Sequence, residues 1–441
     1  MLRGYIVLAL FCVLAHTAVF NLLGIEGAAV VLAVLLLGLL GIAIPQIVRR
    51  RPTRFPWRRL PWAALGYVAL ALVSVFWSRW PLATLLTWVL MAAITAAALV
   101  VGFVLTWNEI VRALSSAMKW IIGLSIALEL WVALVRRAPL LPNFAQLPAG
   151  KPDPHWYWVR GDLLGGGRIQ GIVGNSNTLG MLCVLALIVF VLLFAARSRR
   201  RAALGVWIVV ALFLLIRSGS ATAYASLLAA AAVVGAALLM RRASAPAGRR
   251  RLYLVFAGIA VVGAAAVLLA RGPLLEILGK SSDLTGRLGI WTKVLERAAE
   301  RPFAGNGFSS PWVPWDPAFD GWIVDHRITV FMAHDMWLDV LLQLGVIGVV
   351  LIAVVFLALV WRSWFFAVDR PRWDLAADRP YSALSLLPIA VAAMLLVQGI
   401  TESTPIMLWG WLLVVLLSFR LKISPQLTGH GDPGPSYGQG R

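Results

Sequence analysis

Runs of about twenty apolar residues recur along the whole chain, and no other feature constrains its fold so tightly. A helix needs ~20 such residues to cross ~30 Å of hydrocarbon. On that rule, spans are predicted near 5–23, 28–47, 61–77, 82–105, 119–135, 176–196, 203–216, 221–240, 252–270, 336–360, 383–400 and 405–419, twelve in all. Each must be helical, because a lone strand leaves its backbone N–H and C=O groups unpaired in lipid. Composition agrees: 61% of residues are hydrophobic and 13% charged, where a soluble domain has about 25% charged. That excludes a soluble enzyme, a disordered chain and a fibrous repeat. The expected fold is all-α, a polytopic membrane protein with about 12 transmembrane helices and two sizeable loops on its outer face.

The charges carry orientation. Lys and Arg number 39 against 19 Asp and Glu, a net charge of +20. Nucleic acid is rejected as the partner, because loops on the cytoplasmic side of a membrane are basic and face anionic headgroups. Arginines cluster in 48–60, 197–202, 241–251 and 361–380. With twelve spans these four segments share one side with Arg3 and the tail, so that side and both termini are expected in the cytoplasm. The first apolar run is long and lacks a small-residue cleavage site, so it reads as a membrane helix rather than a signal peptide. Residues 1–422 form the expected membrane domain, and the Gly- and Pro-rich stretch 423–441 a disordered cytoplasmic tail. Cys12 and Cys183 lie in apolar runs, which excludes a disulfide framework.

Chemistry is expected in the two outer loops, about 136–173 and 271–333, which are too long for connectors and rich in tryptophan, including Trp156, Trp158, Trp312, Trp315 and Trp322. Residues 283–302 read as a helix capped by Asp283 or Thr285 and stopped by Pro302. Its apolar face is Leu288, Trp291, Leu295 and Ala298, and its other face is Lys293, Arg297, Glu300 and Arg301. Two placements fit it: along the membrane surface with Trp291 inward, or packed on the tops of the spans. Arg287 falls in its first turn, where free N–H groups favour an anion. Arg168 ends the first loop, and Arg217 sits between two spans with almost no linker. Guanidinium forks suit phosphate oxygens; snorkelling or solvation is the alternative for each. His334 opens the tenth span, where an imidazole could act as general base or bond a loop carbonyl. Glu402, between the last two spans, could position an arginine, bind an acceptor hydroxyl or cap the last helix. His334, Asp335 and Asp339 could be drawn as a metal set, but there is no Asp-x-Asp pair and no His/Cys zinc spacing, so neither metal nor cofactor is expected. A nucleotide-driven pump is disfavoured because no Gly-rich phosphate loop occurs.

Several stretches follow one another in a familiar order. They are Gly167-Arg168-Ile-Gln-Gly171, Gly174-Asn175-Ser-Asn177, Arg217-Ser-Gly-Ser220-Ala-Thr222, Asp283-Leu-Thr-Gly-Arg287 with Trp291, Arg301-Pro-Phe-Ala-Gly305-Asn-Gly307, His334-Asp-Met-Trp-Leu338-Asp339 and Glu402-Ser-Thr404. With the span layout, this pattern resembles the O-antigen ligase and polymerase superfamily of bacterial envelope glycosyltransferases. It departs at Ser218-Gly-Ser220-Ala221, where many members carry an arginine, and at Asp335, where Asn is common. The resemblance implies inverting, metal-independent transfer of a glycan from a polyprenyl diphosphate carrier to a hydroxyl of a lipid, glycan or protein acceptor. The reaction would take place on the outer face of the cytoplasmic membrane. Arg168, Arg217 and Arg287 would bind the donor diphosphate, with His334 and Arg287 catalytic. Glu402, Asn177 and Asp339 would serve the acceptor or positioning. The alternatives are a polymerase joining carrier-linked repeat units and a transporter or flippase of lipid-linked sugars, which would carry paired repeats and midplane charges.

Overall fold

The computed structural model describes residues 2–49, 57–143, 154–196, 201–243, 245–269, 287–309, 312–313, 316, 321–325, 328–369 and 382–424. Helix dominates: α1 (Leu2–Leu14), α2 (His16–Arg49), α3 (Trp62–Val73), α4 (Pro81–Val104), α5 (Trp107–Trp131), α6 (Ser176–Ala195), α7 (Arg201–Ser218), α8 (Ala221–Arg242), α9 (Pro246–Leu269), α10 (Arg287–Ala299), α11 (Met336–Val368), α12 (Leu387–Gly399) and α13 (Leu408–Ile423). Extended pairing among the described residues amounts to a two-residue hairpin, β1 (Val324–Asp325) with β2 (Ile328–Thr329), and one bridge between Leu140 and Val159. Trp315, the caps expected at Asp283 and Thr285, and the tail beyond Ser424 lie outside the described residues.

Among the described residues, 7 helices are long and apolar enough to cross a membrane, against the twelve spans expected. Several of the expected spans are short or interrupted. Leu2–Leu14, Trp62–Phe76 and Ala383–Gly399 are apolar but short. The structure breaks α2 at Gly24 (φ 73°, ψ −177°), between the first two predicted spans, and α1 gives way to α2 at Ala15, inside the first. The Tyr5 hydroxyl donates to the carbonyls of Val34 (3.2 Å) and Leu35 (2.9 Å), beyond the break at Gly24.

Helix α6 runs through the centre and is apolar on every side, as an interior helix must be. A Cβ on Gly180 would stand 2.8 Å from Ser218 Oγ and 2.9 Å from Ala223 Cβ, so glycine lets the α7–α8 turn press against α6. The described basic segments gather at one end. There Arg3 pairs with Glu109, Arg59 donates to the Ile423 carbonyl (3.2 Å), Arg241 to Ser385 Oγ (2.6 Å), and Arg249 pairs with Asp369 (2.7 Å). The described parts of the two long loops, including the Arg168 and Arg287 segments, lie at the other end.

Within the second loop, α10 packs on the start of α11, the second of its two expected placements. Its buried face is Ile290, Val294 and Ala298, with Trp291 half-buried; Leu288 and Leu295 are exposed. The predicted apolar face is therefore rotated, because α10 meets Ile323, Ala333 and Leu342 on one flank only.

Helix α11 is broken at Gly345 (φ 62°, ψ −165°), a conformation open in practice only to glycine. The break is repaired by the segment 302–307. The N–H groups of Val346 and Ile347 donate to the carbonyls of Pro302 (2.8 Å) and Phe303 (3.2 Å). The carbonyls of Leu342 and Gln343, which those groups would otherwise meet, accept from Asn306 (3.1 Å) and Gly307 (2.9 Å). A Cβ on Gly345 would lie 2.2 Å from the Phe303 oxygen. Gly345→Ala is therefore expected to destabilise the protein by about 2–4 kcal/mol, read as a lower thermal midpoint in detergent. Gly205→Ala, in open space within α7, should leave the midpoint unchanged or raise it; equal midpoints for both variants would contradict the account of the break.

Candidate functional site

The site is assembled at the loop-bearing end, where three capped helix N-termini meet. Asn175 caps α6 by accepting from the N–H groups of Asn177 (2.9 Å) and Thr178 (3.0 Å). Ser220 caps α8 by accepting from Ala223 (3.3 Å). Asp335 caps α11 by accepting from Trp337 (2.8 Å) and Leu338 (3.0 Å). Burial pushes the Asp335 carboxyl above the usual carboxylate range; those two N–H groups and the Arg287 charge oppose the shift. The positive poles of α6, α8 and α11 thus point toward one region.

Glu402 is the centre of the cluster. Its Oε1 accepts from Arg287 Nη2 at 2.9 Å and, at the long limit of a hydrogen bond, from Asn177 Nδ2 at 3.5 Å. Its Oε2 meets His334 Nδ1 at 3.0 Å. Asn177 in turn accepts from Arg168 Nη2 at 2.7 Å. The side chains of Arg287, Glu402 and His334 keep 18%, 13% and 31% of their exposure, so the group is enclosed but open on one side. Among the described residues, Arg287 Nη1 and Nε, Arg168 Nη1 and His334 Nε2 have no protein partner. His334 itself adopts φ 51°, a left-handed conformation held only where the surroundings fix it.

Arg168 lies along the α7–α8 turn. Its Nε donates to the Ser218 carbonyl (2.8 Å), and a Cβ on Gly219 would come within 3.2 Å of its Cγ. Burial, with Arg160 adding like charge, lowers its pKa from the usual guanidinium value. Arg217 points elsewhere: its Nη2 donates to the carbonyls of Asp162 (2.8 Å) and Leu163 (3.0 Å), and its own carbonyl accepts from the Ile169 N–H (3.1 Å). It ties down the loop that delivers Arg168 and makes no described contact with the Glu402 cluster. Asp339 is buried beneath His334, bonded to Ser403, Ala333 and Trp312. Of the residues singled out in the sequence, Arg168, Asn177, Arg287, His334 and Glu402 are thus brought together, Asp339 underlies them, and Arg217 stands aside.

The sequence reading passed over Glu129. Its Oε1 accepts from the N–H groups of Gln170 and Gly171, both at 2.8 Å. Gln170 Nε2 then donates to the Arg168 carbonyl (2.7 Å). A carboxylate alone in the apolar run Leu124-Ser-Ile-Ala-Leu-Glu129-Leu-Trp131 is the signal that would have found it.

Comparison with known proteins fits this geometry. Residues 206–353 match the model of the O-antigen ligase family, and the resemblance carried by the motifs is borne out. The matched segment holds Arg217, Arg287, His334 and Asp339; Arg168, Asn177 and Glu402 come from the chain on either side of it. No curated protein matches the chain.

Glu129→Ala would leave two buried N–H groups without acceptors, a cost of about 1–3 kcal/mol for each. Deuterium exchange should accelerate over residues 165–174 with a lower thermal midpoint. An unchanged exchange rate there would show that the loop is held by something else.

Proposed function

We propose that the Arg168, Arg287, Glu402 and His334 cluster is the active site of an O-antigen ligase-like glycosyltransferase. The enzyme would be inverting and metal-independent, and would move a glycan from a polyprenyl diphosphate carrier to an acceptor hydroxyl. The observation that carries this reading is the pairing of guanidinium N–H groups on Arg168 and Arg287 that have no partner among the described residues with a histidine whose Nδ1 is held by Glu402. As the glycosidic bond breaks, negative charge gathers on the departing diphosphate. Fixed guanidinium groups in a partly enclosed site stabilise that charge without reorganising, and the helix N-termini of α6, α8 and α11 add to the field. With Nδ1 donating to Glu402, Nε2 of His334 is the acceptor. It takes the proton of the incoming hydroxyl as that oxygen attacks the anomeric carbon, and one displacement inverts the configuration. Glu402 fixes the ring and balances the imidazolium that forms.

Arg217 enters this scheme as a support for Arg168 rather than a diphosphate ligand. In the cell the cluster would face outward from the cytoplasmic membrane, with both termini and the basic end in the cytoplasm. The substrates would reach it from the bilayer and from the outer aqueous face. A transporter reading is disfavoured by the position of the cluster at one end of the bundle, away from its middle.

In a reconstituted assay with carrier-linked glycan and acceptor, Arg287→Ala is expected to lower turnover about 10²–10³-fold and His334→Ala about 10²–10⁴-fold. Arg217→Ala should act mainly on stability. Unimpaired transfer by His334→Ala would remove the base assignment, and unimpaired transfer by Arg287→Ala the diphosphate assignment. A single addition on the product would indicate ligation, a ladder polymerisation. Reporter fusions within 144–153 or 270–286 should read as extracytoplasmic; a cytoplasmic signal would contradict the proposed orientation.

A further inference from the structure

We infer that Asp339 is a positioning residue that sets the geometry of His334 and Glu402 together, by gripping the chain immediately beside each. The inference deepens the reading of His334 as the base and rests on it. Asp339 lies one turn into α11 and is 1% exposed. Its Oδ2 accepts from the Ala333 N–H (3.2 Å) and from the Ser403 hydroxyl; its Oδ1 accepts from Trp312 Nε1 (2.8 Å). Ala333 precedes His334 and Ser403 follows Glu402, so one carboxylate fixes both neighbours of the pair.

The same node reaches Arg287. The Ala333 carbonyl accepts from Trp291 Nε1 (3.0 Å), on the helix that carries Arg287. His334 is thereby clamped on both sides, by the doubly bonded Ala333 before it and by the cap residue Asp335 after it. That accounts for its left-handed backbone, which persists only where flanking contacts over-determine it. A carboxylate is needed here because three donors converge on it. Asparagine has nearly the same shape but offers one oxygen, and its amide would turn an N–H toward one of those donors.

The test compares Asp339→Asn, Ser403→Ala and Trp312→Phe with the full-length protein in detergent and in liposomes. For Asp339→Asn, kcat should fall about 10–100-fold, because small misplacements of reacting groups cost rates of this order. KM for the carrier-linked donor should rise less than kcat falls, because Arg168 keeps its own bonds to the Ser218 carbonyl and Asn177. Deuterium exchange, measured without substrate, should accelerate in peptides covering 330–335 and 400–405 and stay unchanged over 168–178. Ser403→Ala and Trp312→Phe should show the same pattern more weakly, which keeps the test open if Asp339→Asn does not fold. Wild-type kcat in Asp339→Asn would overturn the inference, as would exchange unchanged at both flanks. So would a rise in KM in step with the fall in kcat, which describes general collapse of the site. Full activity in His334→Ala would instead remove the base assignment on which the inference rests, whatever the exchange at the two flanks.

Discussion

An apolar medium gives a broken helix no water with which to satisfy its freed backbone groups, and the break in α11 shows how this chain meets that requirement. At Gly345 two N–H groups and two carbonyls leave the helix ladder, and the segment 302–307 supplies partners for all four. The loop between α9 and α11 is therefore part of the bundle and not an attachment to it. Further ties run from the same loop to the α3–α4 connection: Trp77 Nε1 donates to the Ala304 carbonyl (3.0 Å), Thr84 to the Phe308 carbonyl (2.8 Å), and Arg79 pairs with Asp316 (3.0 Å). These bonds fix the platform over which α10 carries Arg287 toward His334.

At the site itself, one carboxylate mediates between opposite demands. In the proposed reaction Arg287 and Arg168 would present positive charge to an anion, yet two bare guanidinium groups near a membrane surface repel each other and are costly to bury. Glu402 relieves that by holding Arg287 directly and Arg168 through Asn177, and it orients His334 with its second oxygen. In the proposed reaction, an arriving diphosphate would meet a site whose charges are already ordered.

The helical class was legible because apolar runs of membrane length leave no other choice, and Arg168, Arg287, His334 and Glu402 were legible because polar groups at span ends are rare enough to stand out. What the sequence could not reveal depends on distant contacts. The rotation of α10 follows from Ile323, Ala333 and Leu342 lying on one flank, which no local periodicity encodes. Arg217 read as equivalent to Arg168 until the carbonyls of Asp162 and Leu163 gave it a different task. The interrupted helices at Ala15 and Gly345 were read as continuous, because a glycine in an apolar run signals a break only when something waits to fill it.

The split origin of the cluster bears on how such proteins can be recombined. Arg287 and His334 lie within residues 206–353, while Arg168, Asn177 and Glu402 do not. Chimeras that exchange only the recognisable family segment would set one half of the pocket against a foreign counterpart, with its imidazole facing an unmatched carboxylate. Exchanges that carry 160–177 and 398–411 along with that segment would transplant the whole constellation as a unit.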